Sequence, residues 1–481
     1  MPPGADVNPA DHLSQTPATD PRSWKKEAVA SIASELAPSI DLPIRYFILG
    51  LAALALFAAA LPFFANEVLA QHHYTHRTIA FTHLLVLGWI ASIILGAAVQ
   101  LVPVALGVKI YSERLVRWTF TFHAIGVAGM VVSFWLWNFR VLLWFGTLVM
   151  LGFMLFVYNV VRTLKRVERH DAVSIHIATS LAYLVLTFLA SQYLMHDKIT
   201  PFSPFNVISA IHAHAHLAAL GWFFLMIMGV SYRLIPMFAL SSIQNERRIW
   251  ASFALFNTSV IGIFLGILLQ ARWLIAAVIT VSLALGLWVW EVLAMLKARK
   301  RPHLDGTLKQ ALIAMTHIPV LVVLGLWLSW PSPLSAIKAQ TQTAYGMLAL
   351  LGFVSLFVMA MLYKIIPFLV WYKIYPPLVG RQPVPKLYEL YSIPLQRWSL
   401  ALFLTGLWTT AVLASLSAGT PSTLLTFSSG VMGCGILLFV LNMGMPLSRL
   451  IRIHACPLAR LLTWWNHVRA RHSAHSRASM P

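Results

Sequence analysis

The stretch Ile211-His-Ala-His-Ala-His-Leu-Ala-Ala-Leu-Gly-Trp222 runs on without a break to Tyr232-Arg-Leu-Ile-Pro236. It places His212, His214 and His216 at the head of an apolar run that is long enough to cross the roughly 30 Å of hydrocarbon in a bilayer. His212 and His216 are four residues apart and share a helical face, whereas His214 is expected to point elsewhere. On a regular helix the three histidines therefore cannot all bind one metal ion.

Two further stretches follow the same pattern, one from His83 to Pro103 and the other from Met347 to Pro367. In all three copies a Gly follows the His or Met by five residues, and a Pro follows the Gly by fifteen. Measured from His216, the first copy lies 133 residues earlier and the third 131 residues later. This spacing predicts a threefold internal repeat in which one type of helix is used three times.

The repeated glycines are Gly88, Gly221 and Gly352. Each removes a side chain about one helical turn beyond the His or Met, so that another group can approach the backbone there. A flat macrocycle and a neighbouring helix are both candidates, and close helix packing is the more ordinary role of such a glycine.

The composition is that of a polytopic membrane protein. Only 10% of the 481 residues are charged, 59% are hydrophobic and the mean hydropathy is +0.76, whereas soluble domains are about a quarter charged. The net charge of +20 does not indicate nucleic-acid binding, because the basic residues lie in short loops between apolar runs. With two cysteines, Cys434 and Cys456, the chain has neither a disulfide scaffold nor a thiolate metal cluster.

The apolar runs predict an all-α polytopic bundle of about twelve transmembrane helices. The repeated helices are the second of each group of four, which predicts three four-helix units at about 43–170, 171–305 and 306–446 within a membrane domain of 43–446. Residues 1–42 are expected to form a disordered N-terminal tail, and 447–481 a basic C-terminal tail. The expected runs are 44–64, 78–104, 115–136, 141–162, 173–195, 207–236, 248–268, 272–296, 308–330, 343–370, 397–416 and 422–446.

The distribution of basic residues predicts the orientation. If the N-terminus is cytoplasmic, the cytoplasmic tails and loops hold 29 of the 35 Lys and Arg residues, and Arg233 lies within a helix. By the positive-inside rule we expect a multi-pass protein of the bacterial inner membrane with both termini cytoplasmic. The histidine-bearing ends then lie in the outer half of the bilayer. The opposite loops hold only Arg77, Arg140, Lys198, Arg272 and Lys338.

His83 and His216 are the strongest candidates for cofactor ligands. An imidazole within a bilayer needs a partner, and a neutral imidazole nitrogen is a good ligand for haem iron or copper. The alternative is a histidine that bonds a neighbouring helix, but recurrence at the same place of a repeat favours ligands. His176 and His317 are single histidines in helices that the repeat makes equivalent, and they are candidates for related positions.

A second histidine cluster, Gln71-His-His-Tyr-Thr-His76, precedes the first repeated helix. His72 and His76 share a face, and His76 lies two turns above His83. This cluster is either a metal site, a continuation of the inner site or a solvated polar cap. Elsewhere, Glu291 alone among the acidic residues lies clearly inside an apolar run, which argues against a proton pump.

Twelve helices in three groups of four, with histidines at the outer ends of the second helices, resemble the catalytic subunit I of haem-copper oxidases and nitric oxide reductases. The resemblance covers about residues 43–446. It implies that His83 is a ligand of a low-spin haem, and that His212 or His216 is a ligand of a non-haem metal. The chain departs from the family where helix 10 should carry two histidines and helix 7 a histidine pair, since residues 343–370 and 251–269 contain none.

If haem binds, its axial ligands must therefore be recruited differently, and His83 with His216, or Met347 as a thioether ligand, are the options. The resemblance implies a haem of the b type with or without copper. The role would be respiratory electron transfer or the handling of nitric oxide or oxygen, and if the protein is an enzyme it is an oxidoreductase. Expected partners are the bilayer, cytochrome c or quinol as electron donor, or other respiratory subunits.

Two other functions stay open. In the first, the protein handles or transports copper or zinc, and the clusters Gln71–His76 and His212–His216 form a metal entry path from the periplasm. The candidate metal ligands in these clusters are His72, His76, His212 and His214. In the second, it is an assembly or scaffold protein that kept the fold without cofactors.

Overall fold

The structure is a computed structural model, and it describes residues 36–71, 73–333, 335–416 and 422–455, with side chains to residue 450. Within these residues the chain is all-α and has twelve helices that are long and apolar enough to span a membrane. The predicted polytopic bundle is thereby confirmed. The helices are α1 (Asp41–Ala70), α2 (His76–Leu106), α3 (Glu113–Trp135), α4 (Phe139–Leu164), α5 (Ala172–Ile199), α6 (Val207–Ala239), α7 (Glu246–Leu268), α8 (Leu274–Lys297), α9 (Gly306–Ser329), α10 (Ala336–Ile374), α11 (Ile393–Leu416) and α12 (Thr423–Leu450).

The helix bounds agree with the apolar runs to within four residues, except at the end of α1, which continues to Ala70 rather than ending near residue 64, and at the start of α10. This helix begins at Ala336, where the Ser335 hydroxyl accepts a hydrogen bond from the Lys338 backbone N–H, rather than near residue 343. Its first two turns are polar, and a prediction from apolar runs cannot include them. Most of both predicted tails, residues 1–35 and 456–481, lies outside the described residues.

The three repeated helices form the centre of the bundle. In the most apolar 18 residues of α2, α6 and α10, 83%, 78% and 78% of the residues are buried, whereas in the other nine helices the share is 28–56%. The outer helices surround them in chain order, with α4 against α5, α8 against α9, and α12 against α1 to close the ring. A helix that is apolar all round is expected at such a central place.

Each central helix contains an eight-residue π-helical segment at the same place in the repeat. The segments Leu84–Ala91, Leu217–Phe224 and Leu348–Ser355 begin directly after His83, His216 and Met347 respectively. The repeated Gly is the fifth residue of each segment. π-helical turns are rare and are frequently found at functional sites. They occur here at the same positions that the spacing of Gly and Pro indicated.

The repeated glycines serve helix packing. A Cβ atom on Gly221 would lie 2.6 Å from Tyr183 Cγ of α5, and one on Gly352 would lie 2.6 Å from His317 Cδ2 of α9. On Gly88 it would lie 2.9 Å from Ala53 Cβ of α1. In each unit the first helix therefore fills the space beside the glycine, which leaves no room for a macrocycle at these three places.

These contacts also show that His176 and His317 are not equivalent. His317 packs on Gly352, and the corresponding residue on Gly221 is Tyr183. His176 packs instead on Gly229, about two turns further along α6. The repeat relates their helices but not the two side chains.

Candidate functional site

A cavity of about 700 Å³ surrounds the N-terminal half of α6 and extends to α2 and α10. Most of its wall is apolar, and its volume is in the range of small-molecule and cofactor sites. The predicted residues that it brings together are His83, His212, His214, His216 and Met347. His76 does not line it but packs its ring 6.2 Å from that of Trp137, and His72 lies outside the described residues.

The His83 and His216 rings are held in the same way. The Nδ1–H group of His83 donates to the Ile79 carbonyl at 2.8 Å, and that of His216 donates to the His212 carbonyl at 2.8 Å. This bond places the proton on Nδ1 and leaves the lone pair on Nε2, as in histidines that bind a metal through Nε2. Within the described residues no hydrogen bond to either Nε2 atom is formed.

His83 lies on the side of α6 that carries His214. Its ring is 4.4 Å from that of Phe134 in α3, and its imidazole is close enough to His214 to interact electrostatically. Thr187 of α5 also lines the cavity. We call this part of the cavity, lined by His83, Phe134, Thr187 and His214, the α2 lobe.

His216 faces the other side of α6. Its ring stacks on that of Tyr345 in α10, with centroids 5.9 Å apart and planes inclined by 19°. We call this part, lined by His216, Gln342, Tyr345 and Gly346, the α10 lobe. Among the described residues no hydrogen bond or ring contact joins His83 to His216. As predicted, His214 lies on a different face from His216, but the cavity continues round the helix and reaches it there.

Sequence reasoning gave His73 no separate role. This residue lies in the loop between α1 and α2, and its Nε2 atom is 2.7 Å from the Nε2 of His212. The signal was present in the His-His pair at residues 72 and 73, but the helical-face argument favoured His72 and His76. Within the described residues no group of three or more His, Cys, Asp or Glu side chains could hold a metal ion.

Other polar atoms of the cavity wall indicate that a ligand belongs there. The His214 Nδ1, Trp222 Nε1 and Thr343 Oγ1 atoms are buried and have no hydrogen-bond partner in the described part of the chain. Each buried polar atom without a partner costs about 1–3 kcal/mol. A wide apolar cavity with separate imidazoles fits haem, whose iron needs only one or two protein ligands, better than a four-ligand metal ion.

Comparisons with known proteins do not assign the chain to a family. No protein-family model matches it, and no curated protein matches it. The resemblance to haem-copper oxidases therefore rests on the repeated helix and its histidines.

Proposed function

We propose that this membrane protein binds haem in the α2 lobe and acts in respiratory electron transfer or in the handling of nitric oxide or oxygen. The observation that carries the proposal is the His83 imidazole. Its proton is fixed on Nδ1 by the Ile79 carbonyl, and it lines a 700 Å³ cavity beside His214. This combines a prepared ligand with the space for a large cofactor.

His83 and His214 are the residues that would hold a haem in the α2 lobe. His216 and Met347 are the ligands available on the other side of α6. A haem held by both histidines would supply one-electron chemistry, whereas a haem held by His83 alone would also keep a place for a diatomic gas. The protein's own contribution is to orient the imidazole by the Ile79 bond, to support it with the Phe134 ring, and to exclude water with an apolar wall.

The expected orientation supports this placement. Most of the 35 basic residues lie in the tails, loops and helix ends at the opposite end of the bundle, so the positive-inside rule favours cytoplasmic termini and a cavity in the outer half of the inner membrane. A b-type haem needs no covalent attachment, which suits a chain whose cavity contains no cysteine.

The test is a pyridine haemochrome assay and a reduced-minus-oxidised spectrum of the full-length protein, purified in detergent after haem-supplemented expression. We expect His83→Ala and His214→Ala to lose haem or shift its α-band. His196→Ala is a matched control, because its Nδ1 makes the same bond, to the Gln192 carbonyl, outside the cavity. Wild-type protein without a Soret band would overturn the proposal.

A second candidate, copper or zinc handling, is favoured by the His73–His212 pair. The two imidazole nitrogens lie 2.7 Å apart, so both can bind one metal ion in place of their contact with each other. Further ligands would come from the substrate or from solvent. Metal analysis of His73→Ala and His212→Ala protein tests it, and an unchanged metal content would exclude the pair. If the wild-type protein binds neither haem nor metal, the scaffold function is the remaining candidate.

A further inference from the structure

We propose that the α10 lobe is a separate binding site for a lipid-soluble quinone, whose ring would lie between α6 and α10. The proposal deepens the proposed function, because a quinol would be the electron donor of a membrane haem protein. It concerns binding alone, so it can be tested whether or not haem is present.

The α10 lobe offers hydrogen-bonding groups for a quinone head. Gln342 and Tyr345 are three residues apart on α10 and share a face, and both line the cavity. The Tyr345 hydroxyl and the Gln342 amide make no hydrogen bond within the described residues, and the Thr343 hydroxyl is buried without a partner. Donors of this kind suit the two carbonyl oxygens of a quinone, which accept hydrogen bonds but carry no charge.

Small residues leave room beside these groups. A Cβ atom on Gly346 would meet no atom within 4 Å, although Gly346 lies in a central helix and lines the cavity. The equivalent residues before His216 and His83 are Ala215 and Thr82, which also line the cavity. The space next to Tyr345 is therefore open, in contrast to the filled space beside Gly352.

The cavity extends to two outer helices, between which a lipid-soluble ligand would enter from the bilayer. Val278 and Ser282 of α8 and Val322 and Gly325 of α9 all line the cavity, so it reaches the joint between these two helices. Both belong to the outer ring, with 39% and 28% of their most apolar residues buried. An isoprenoid tail placed at this joint would remain in hydrocarbon.

The charges at the same end of the bundle oppose the other expected donor. The loops and helix ends there carry five basic residues and only two acidic ones, Glu67 and Asp197. A basic soluble protein such as a cytochrome c would meet a surface of its own sign, which slows association. A neutral ligand that arrives through the bilayer is not affected by these charges.

The experiment is a calorimetric titration of the purified full-length protein with ubiquinone-1, and its haem content is measured separately. We expect saturable binding to the wild type, about tenfold weaker binding to Tyr345→Phe from the loss of one hydrogen bond, and no saturable binding to Gly346→Leu, whose side chain fills the lobe. Gly286→Leu is the matched control, because Gly286 of α8 also has open space around it but does not line the cavity.

Wild-type protein that shows no saturable binding, or equal affinity in the wild type and both α10 variants, would overturn the proposal. Protein that binds quinone but no haem would disprove the proposed function and leave this inference standing. Protein that binds haem but no quinone would disprove this inference and leave the proposed function standing.

Discussion

One local hydrogen bond, from Nδ1–H to a backbone carbonyl in the preceding turn, recurs at histidines with different surroundings. It is formed by His83, His176, His196, His216 and His317. The bond therefore does not by itself identify a ligand. The histidines differ in the environment of their Nε2 atoms. In His176 and His317 the Nε2 atom is buried and has no hydrogen-bond partner among the described residues. In His83 and His216 the ring that carries Nε2 lines the cavity.

Glu291 gives the first prediction, where the start of α7 meets the end of α8. Its carboxylate is fully buried, accepts hydrogen bonds from the Gln244 and Asn245 backbone N–H groups, and pairs with Arg248 at 2.9 Å. Glu291→Gln leaves the Arg248 guanidinium, whose side chain is 15% exposed, without its counter-charge. We expect a loss of about 2 to 4 kcal/mol in unfolding free energy, measured by denaturation in mixed micelles.

The control for this prediction is Glu246→Gln in the first turn of α7, because Glu246 is exposed and pairs with no described residue. Its unfolding free energy should change by less than about 0.5 kcal/mol. Equal effects of the two substitutions would show that Glu291 acts only through the net charge of the loop.

At the scale of the element, the sequence predicted the central helices well and their internal geometry not at all. The Gly and Pro spacing identified α2, α6 and α10 because each of these helices packs a neighbouring helix beside a glycine at the same position of the repeat. The π-helical segments could not be predicted, since a residue such as Leu84 has the same propensity in either type of turn. The interaction of His83 with His214 likewise depends on how two helices pack, and no spacing within one helix contains it.

The glycines of α10 give the second prediction, because two of them six residues apart have opposite surroundings. Gly352→Ala places a Cβ atom against the His317 ring, which cannot retreat because Trp408 stacks on it with centroids 5.4 Å apart. We expect this overpacking to lower the unfolding free energy by about 1–3 kcal/mol. Gly346→Ala adds a methyl group in open space and should raise it by up to about 1 kcal/mol. Thermal unfolding in detergent distinguishes the two, and a stabilising Gly352→Ala would contradict the packing role.

At the scale of the whole molecule, the function of each helix follows from its place in the ring. The three central helices carry Met347 and, among the described residues, every cavity-lining histidine except His73, which lies in the loop before α2, while the nine outer helices surround them. The two lobes lie on the α2 and α10 sides of the central helix α6, which supplies His214 to one and His216 to the other. The threefold repeat therefore builds sites that are related in position but differ in chemistry, because the side chains at equivalent places differ.

The orientation of the bundle gives the third prediction. The short loop at residues 200–206 lies at the histidine end, and the loop at residues 298–305, with Arg299, Lys300 and Arg301, lies at the opposite end. Alkaline phosphatase fused at residue 203 should be active and green fluorescent protein fused there dark, with the reverse result at residue 302, because basic loops are retained in the cytoplasm. Active phosphatase at residue 302 would show that the bundle has the opposite orientation in the membrane. The cavity would then lie in the cytoplasmic half of the bilayer, and an electron donor would have to reach it from that side.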